Sequence, residues 1–293
     1  MALRRRNMVI GATGLTALAA APARAQQAWP TRPVRLLVAF APGGFTDIAA
    51  RILAERLSAE LGQQVVVDNR AGAGGIIGTE AAARSAPDGH TLLMGTISTH
   101  AMTVGLYRSL PYDPVRDFAP VSRVATAPNL LVVHPSTGVA DVAGLIARAK
   151  ERPGSLSYGS GGNGTSSHLA GELFKSAARV DLLHVPFRST APATSALVAG
   201  QVDLMFDTLP SALPHAREGR LRALGVTGPR RLAATPDLPA VAETVPDFEM
   251  GVWVGLFAPA GTPRPVVERL DAATRFASAA ARRKRCAPSP HPC

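Results

Sequence analysis

The chain has 293 residues, of which 46% are hydrophobic and only 5% aromatic, and it carries a formal net charge of +10. The length suits about two domains, and the composition is typical of a globular α/β protein rather than a disordered or fibrous one. Most of the excess positive charge lies at the two ends, at Arg4–Arg6 with Arg24 and at Arg282–Arg285, so the charge between them is nearly balanced. Without a basic stripe interleaved with aromatic residues, nucleic-acid binding is not expected.

Residues 1–25 have the features of an export signal peptide. A basic start, Met1–Arg6, precedes the apolar run Met8–Ala21, and Ala23–Ala25 fits a small-x-small cleavage site. The run is shorter than the roughly 20 residues that a membrane span requires. Arg5-Arg6 resembles the start of a twin-arginine signal. We therefore expect an exported, periplasmic protein whose mature chain begins near Gln26.

The first predicted unit is a strand, a glycine loop and a helix. Val34–Phe40 is apolar apart from Arg35, which is typical of a strand buried on both faces. Ala41–Gly44 interrupts it, and Thr46 and Asp47 suit the start of a helix. The helix is predicted to have one apolar face, formed by Ile48, Ala49, Ile52, Leu53 and Leu57. Such a loop is either an anion site built from backbone amides or a tight turn without a ligand.

Strands and helices continue to alternate along the chain. Strands are predicted at Val65–Val67 and Thr91–Met94, followed by a glycine loop at Ala71–Gly75 and a hydroxyl-rich loop at Gly95–His100. Loops at the carboxyl ends of parallel strands share one edge of the sheet, where ligands bind. Further elements are predicted at Asn129–His134, Asp141–Lys150, Leu156–Tyr158, Ser166–Ala177, Val202–Phe206 and Met250–Ala258, with a last helix from about Thr262.

The glycine loop Gly159–Gly164 leaves two functions open. It repeats the first unit, because it joins a short strand to a helix that starts with hydroxyl residues. It also matches the letters of the dinucleotide fingerprint, with Asp181 downstream, so an α/β enzyme that binds a nucleotide cofactor is the alternative function. The preceding strand is short and the loop is not in the first βαβ unit, which makes the match weak.

Residues that would commit the chain to catalysis are sparse. The sequence has no Gly-x-Ser-x-Gly elbow and no HExxH pair, and its two cysteines, Cys286 and Cys293, both lie near the end. Asp47 and Asp207 follow strand ends, so they are either paired catalytic carboxylates or a helix cap and the partner of a ligand amine. The inventory of amides and hydroxyls favours binding over catalysis, and we expect neither a cofactor nor a metal ion.

Many short stretches, in the same order, resemble one family, the Bug-type extracytoplasmic receptors of tripartite tricarboxylate transporters. The resemblance extends from about Trp29 to Leu270. The stretches that carry it are Ala41–Asp47, Val67–Arg70, Gly72–Gly75, Pro87–Thr91, Leu110–Pro114, Gly159–Gly161, His168–Ala170, Val185–Phe187, Gly200–Asp203, Leu213–His215 and Ala258–Pro263.

The resemblance implies an α/β fold with two lobes, that of a type II-like "Venus flytrap" periplasmic binding protein, each lobe being a sheet flanked by helices. Lobe one would comprise residues 26–126 and 248–276, and lobe two residues 127–247. The family continues with further helices after Leu270, whereas this sequence has no apolar period there. We therefore expect residues 277–293 to be an aberrant or disordered tail and lobe one to lack part of its covering layer.

The resemblance also implies the ligand and its partners. A monomeric receptor without catalytic activity would capture a di- or tricarboxylate, an acidic amino acid or a related organic acid, and would present it to membrane transporter subunits. In such a pocket Arg188 would favour a second acidic group, whereas Asp207 would favour either an amine or a neutral tail on the ligand. The implied ligand-binding residues are Phe40, Pro42, Gly43, Gly44, Phe45, Thr46, Asp47, Gly75, Thr96, Ser98, Ser160, Gly161, Asn163, Gly164, Thr165, His168, Arg188 and Asp207.

Overall fold

The structure, a computed structural model, describes residues 29–286. The predicted export signal and residues 287–293 of the predicted tail lie outside the described residues. Within them the strands are β1 (Val34–Val38), β2 (Val65–Asn69), β3 (Thr91–Thr96), β4 (Phe118–Val133), β5 (Ser157–Ser160), β6 (Leu183–Pro186), β7 (Leu204–Thr208), β8 (Arg222–Val226) and β9 (Gly251–Pro259). The α-helices are α1 (Phe45–Leu61), α2 (Ile76–Ala83), α3 (Thr103–Leu106), α4 (Val142–Glu151), α5 (Ser166–Ala178), α6 (Thr190–Val198), α7 (Leu209–Arg217) and α8 (Arg264–Cys286).

The strands form two half-sheets that share the long strand β4. The strand order is β2-β1-β3-β9-β4-β7-β5-β6, and β8 also pairs with β4. In lobe one, β1 runs parallel to β2 and β3, and β9 is antiparallel to β3. In lobe two, β5 runs parallel to β6 and β7, and β4 is antiparallel to β7 and β8. The predicted fold class, α/β with two lobes of sheet flanked by helices, is confirmed.

Strand β4 carries the chain from one lobe to the other. Its first part, Phe118–Pro128, pairs with β9 of lobe one. Its last part, Asn129–Val133, pairs with β7 of lobe two. The change of partner lies between Pro128 and Asn129, and the chain returns to lobe one where β9 begins, at Gly251. The first crossing therefore runs through extended backbone, and the second leads from a turn at Pro246 and Asp247 into β9.

The core of lobe one lies between its sheet and the helices α1 and α8. Leu53 and Leu57 of α1 are buried against Leu36 of β1 and Leu92 of β3. The helix does not bury its whole apolar set, because Ile48 and Ile52 are 40% and 52% exposed. Ile48 comes one position before the partly buried Ala49, and Ile52 one position before the buried Leu53. One position turns a side chain by about 100° around the helix, so the prediction of one apolar face was wrong for the two isoleucines.

Helix α8 covers part of lobe one. Its residue Leu270 is fully buried in the lobe-one core, and Ala273 is buried beside it. The helix is assigned up to Cys286, and its last residues overlap the start of the tail predicted from residue 277. Within residues 29–286, no helix combines the length and the apolar composition that crossing a bilayer requires.

The sheet of lobe two is buried on both faces. Leu131 and Phe206 point to the face that α5 covers, where they pack against Phe174. Leu130 and Met205 point to the opposite face, which α6 covers. This alternation follows from the two-residue period of a strand, and it decides which polar residues at the strand ends can reach the space between the lobes.

Candidate functional site

A cavity lies between the two lobes at the carboxyl ends of the parallel strands. Its volume is about 40 Å³, which holds roughly three water molecules, so the lobes are close together in this structure. Lobe one contributes Phe40, Gly44, Phe45, Thr46, Thr96, Ile97, Ser98, Val252, Trp253 and Val254 to the lining, and lobe two contributes Thr165, Ser166, Thr190 and Thr208.

Three helices begin at this cavity. They are α1 at Phe45, α5 at Ser166 and α6 at Thr190, and each first residue is part of the lining. None of the three has a side-chain cap. The first amides of a helix have no intrahelical acceptor, and each N-terminus carries about half a positive charge. The cavity can therefore attract an anion although its described lining contains no Lys, Arg or His side chain.

Asp47 fixes the loop that leads into α1. Its carboxylate accepts hydrogen bonds from the Gly43 amide (3.0 Å), from Arg51 Nε (3.0 Å) and from Asn69 Nδ2 (2.9 Å). Burial opposes ionisation, but the bonds from Arg51, Gly43 and Asn69 outweigh it and lower the pKa of Asp47. The predicted ligand residue Asp47 therefore lies behind the loop, where it orients the loop, and it does not line the cavity.

Other predicted residues of lobe one support the cavity wall. Gly75 has a φ of +100°, and a Cβ atom there would lie 2.8 Å from Thr99 Cγ2 and 3.0 Å from Phe40 Cζ. Gly75 thus leaves room for the Phe40 ring, which does line the cavity. Pro42 and Gly43 are exposed and are not part of the cavity lining.

The loop of lobe two uses its own amides internally. Gly161 donates to Ser167 Oγ (2.9 Å), Gly162 to Ser160 Oγ (3.1 Å) and Gly164 to His168 Nδ1 (3.2 Å). These amides are not free to hold a pyrophosphate, which argues against the nucleotide alternative. Of the five residues predicted in Ser160–Thr165, only Thr165 lines the cavity.

The serine and histidine residues of this loop form a structural cluster. Ser160 is fully buried, and its Oγ lies 2.6 Å from His184 Nε2. The rings of His168 and His184 are 4.3 Å apart. Burial lowers the pKa of His184 to about 4 and lowers that of His168 as well. Neutral, packed imidazoles and a buried hydroxyl hold the loop in shape, and neither Ser160 nor His168 reaches the cavity.

Asp207 lies on the face of the lobe-two sheet that α6 covers, the same face as Leu130 and Met205. It accepts hydrogen bonds from Thr194 Oγ1 (2.8 Å) and from the Thr208 amide (2.7 Å). Burial raises the pKa of Asp207, although the bonds from Ser211 and Thr194 oppose the shift. Consecutive strand residues point to opposite faces, so Thr208 lines the cavity while the predicted Asp207 does not.

Two of the predicted ligand-binding residues line a groove that is separate from the cavity. Asn163 and Arg188 face an open groove of about 740 Å³ between the lobes, opposite Gly74 and Tyr107. Arg188 is exposed there and is not part of the cavity lining. A second acidic group in the cavity would not meet its guanidinium in this conformation.

Several lining residues were missed by the sequence reasoning. Thr190 and Thr208 both stand at the start of a helix, as do the hydroxyl residues that were predicted, and this signal could have found them. Trp253 belongs to β9, which only the fold brings to the cavity. Buried polar atoms without a hydrogen-bond partner in the described structure lie nearby, on Asn129, Ser189 and Thr208. Nowhere in the described residues do three or more His, Cys, Asp or Glu side chains form a metal-binding group.

Comparison with known proteins gives matches along most of the chain. Residues 49–285 match the family described as tripartite tricarboxylate transporter family receptor. Protein BugT of Bordetella pertussis is 39% identical over 273 residues, which are 92% of this chain and 83% of BugT. A solved R. palustris protein with adipate is 42% identical, with a TM-score of 0.82, over 84% of this chain and 83% of that one. MatC from Rhodopseudomonas palustris with bound malate is 38% identical, with a TM-score of 0.81, over 85% of each chain.

Proposed function

The chain belongs to the tripartite tricarboxylate transporter receptor family, and from this premise we propose that it captures a small carboxylate in the cavity between its lobes. The observation that carries the proposal is the convergence of three uncapped helix N-termini, those of α1, α5 and α6, on one cavity. Backbone amides and helix dipoles together make a site that favours negative charge.

Binding proceeds in two steps in this proposal. A ligand carboxylate first binds to the amides at the start of α1, which Asp47 holds in place. The lobes then close about the crossings near Ala125–Pro128 and Val245–Gly251, and the hydroxyls of Thr165, Thr190 and Thr208 reach the rest of the ligand. Hinge closure of this kind lets a partner distinguish the loaded receptor from the empty one.

The relatives support a carboxylate as the ligand class. The R. palustris neighbour was solved with adipate and MatC with malate. Both are small organic acids, and both proteins match more than four-fifths of this chain. The family resemblance inferred from the sequence is confirmed.

Membership of the family supports a proposal for where the receptor acts and for its protein partners. We propose that the chain is exported by its N-terminal signal, of twin-arginine or ordinary type, and acts in the periplasm as a monomer. Its protein partners would be the membrane subunits of a tripartite tricarboxylate-type transporter. We propose no catalytic activity, because the cavity lining presents neither a nucleophile with its base nor a pair of carboxylates.

The experiment that tests this function is a thermal-shift screen of the purified protein with a panel of small carboxylates that includes malate and adipate, and with NAD and AMP as counter-ligands. Stabilisation of about 2.7 kcal/mol is expected when a true ligand is present at 100 times its Kd. A shift with nucleotides alone, or with none of the compounds, would overturn the proposal.

The variant Gly44→Ala locates the site. A Cβ atom at Gly44 would lie 2.9 Å from Thr190 Oγ1 across the cavity, so closure should be blocked and the ligand-induced shift lost. Gly105→Ala is the matched control, because a Cβ atom at Gly105 meets nothing within 4 Å. A full shift in Gly44→Ala would show that the ligand binds elsewhere.

A further inference from the structure

Among the buried side chains of lobe two with hydrogen-bonding atoms that no described protein group satisfies, two are neighbours in the sheet, Asn129 and Thr208. Asn129 is 1% exposed, and both its Nδ2 and its Oδ1 lack a partner. Thr208 is 7% exposed, and its Oγ1 lacks a partner. The backbone of Asn129 is fully engaged, since its amide donates to Thr227 Oγ1 (2.9 Å) and its carbonyl accepts from the same hydroxyl (3.1 Å).

The two side chains lie together at the cavity end of the lobe-two sheet. Asn129 and Thr208 are direct partners in the antiparallel β4–β7 ladder, so their side chains are on one face with Cβ atoms about 5 Å apart. This is the face of Leu131 and Phe206, which α5 covers. Thr208 is part of the cavity lining, and so are Thr165 and Ser166 at the start of α5.

The chemistry of this pair selects the group that it can bind. An amide and a hydroxyl each offer both a donor and an acceptor. A carboxylate accepts only, so it would leave the Asn129 oxygen buried and unpaired, and a methyl group would leave every atom unpaired. A hydroxyl or carboxamide group both donates and accepts, and it can satisfy the pair completely. Both side-chain atoms of Asn129 are unpaired, so exchanging its amide nitrogen and oxygen leaves the same donor and acceptor to be satisfied.

We propose that the ligand is a monocarboxylate whose far end carries a hydroxyl or carboxamide group, and that Asn129 and Thr208 recognise this group. The inference rests on the proposed function, in which the α1 amides hold the carboxylate. It deepens that function by assigning the opposite end of the ligand.

The test is isothermal titration with ligands that differ only at one end. Butyrate, 4-hydroxybutyrate, succinamate and succinate share a four-carbon chain, and the five-carbon set is pentanoate, 5-hydroxypentanoate, glutaramate and glutarate. We expect the hydroxyl or amide member of one set to bind about tenfold more tightly than its methyl and dicarboxylate counterparts. Binding of the dicarboxylate or the methyl analogue as tightly as the hydroxyl and amide members would overturn the inference and leave the proposed function standing.

Two variants assign the preference to a residue. Thr208→Val keeps the side-chain shape and removes the hydroxyl, so the preference should fall to within about twofold. Thr235→Val is the matched control, because Thr235 is also buried with an unpaired hydroxyl in lobe two but is not part of the cavity lining. A preference that survives in Thr208→Val, or is lost in Thr235→Val, would overturn the assignment. Failure of every ligand in both sets would overturn the inference, and failure of every carboxylate in the thermal-shift panel as well would overturn the proposed function with it.

Discussion

The loops that precede α1 and α5 share a sequence pattern, but different side chains bind their backbone amides. In lobe one the loop is held from behind by the Asp47 carboxylate, which binds the Gly43 amide, Arg51 and Asn69. In lobe two the loop amides are bound by Ser160, Ser167 and His168, side chains of the loop and its own helix. The amides of the Gly161–Gly164 loop are therefore engaged, and lobe two faces the cavity with hydroxyl groups and with the starts of α5 and α6. A strand–glycine–helix pattern predicts a site, but the side chains that cap the loop decide which groups face the ligand.

The largest expected effect is a loss of stability when a side chain that hydrogen-bonds to one of these loops is replaced. Asp47→Asn should lower the free energy of unfolding by about 2 kcal/mol, because a buried charged acceptor with three donors is lost. Ser167→Ala should lower it by only about 1 kcal/mol, since Ser167 Oγ makes only neutral bonds, with the Gly161 amide and Thr165 Oγ1. Urea denaturation measures both.

Asp141→Asn is the control for the first substitution. Asp141 caps α4 with a single bond from the Gly144 amide (2.7 Å), and asparagine caps a helix about as well as aspartate. Its unfolding free energy should therefore stay close to that of the wild type. If Asp47→Asn were no more destabilising than Asp141→Asn, the carboxylate would not be what orders the first loop.

A second comparison sets Asp47 against Asp207, which both follow a strand end. The pKa of Asp47 is lowered from 3.8, so its contribution to stability is present above that pH and is lost as the pH falls through the folded value. The pKa of Asp207 is raised from 3.8, so its contribution is present below that pH and is lost as the pH rises through the folded value. The two carboxyl groups should thus give stability slopes of opposite sign.

Unfolding free energies of the wild type, Asp47→Asn and Asp207→Asn, measured across acidic and neutral pH, test these slopes. The advantage of the wild type over Asp47→Asn should shrink as the pH falls below about 3.8, whereas its advantage over Asp207→Asn should shrink as the pH rises above that value. Slopes of the same sign in both comparisons would contradict the assigned burial of Asp207.

Local sequence signals predicted the helices and strands well, but they predicted less well which individual side chains point to the cavity. The predicted helix at Asp141–Lys150 is α4, with Asp141 as its cap, and the loop at Ala41–Asp47 does open α1 at the cavity. Consecutive strand residues point to opposite faces, however, so Thr208 faces the cavity and the predicted Asp207 does not. Trp253 could not have been found locally, because it reaches the cavity only through the pairing of β9 with β3 and β4.

The sequence predicts the crossing between the domains near Pro128, because Leu110–Pro114 interrupts the alternation of strands and helices before it. Nothing in the composition around Pro128, however, marks a linker. The structure explains why. The chain crosses between the lobes inside one continuous strand, β4, and no flexible, glycine-rich segment is needed. The signal for such a crossing is a change of pairing partner, which is a long-range property of the fold.

The smallest expected effect concerns the direct bond between the lobes. The Ser166 amide, the first of α5, donates to Ser98 Oγ of lobe one at 3.1 Å. This bond exists only when the lobes are together, so it stabilises the closed form and not the open one. Ser98→Ala should therefore weaken ligand binding about fivefold, the value of one neutral hydrogen bond, by shifting the population toward the open form.

Titration calorimetry with the best ligand, together with small-angle X-ray scattering of the free protein, checks this prediction. The scattering should show a larger radius of gyration for free Ser98→Ala than for the wild type, because fewer molecules are closed. Ser85→Ala is the control: its hydroxyl bonds to Ala81 within the same lobe, so neither the affinity nor the radius should change. An unchanged affinity in Ser98→Ala would mean that the lobes are held together by the ligand and by packing alone. The amide at the start of α5 would then be free to bind the ligand directly, as the amides of α1 are proposed to do.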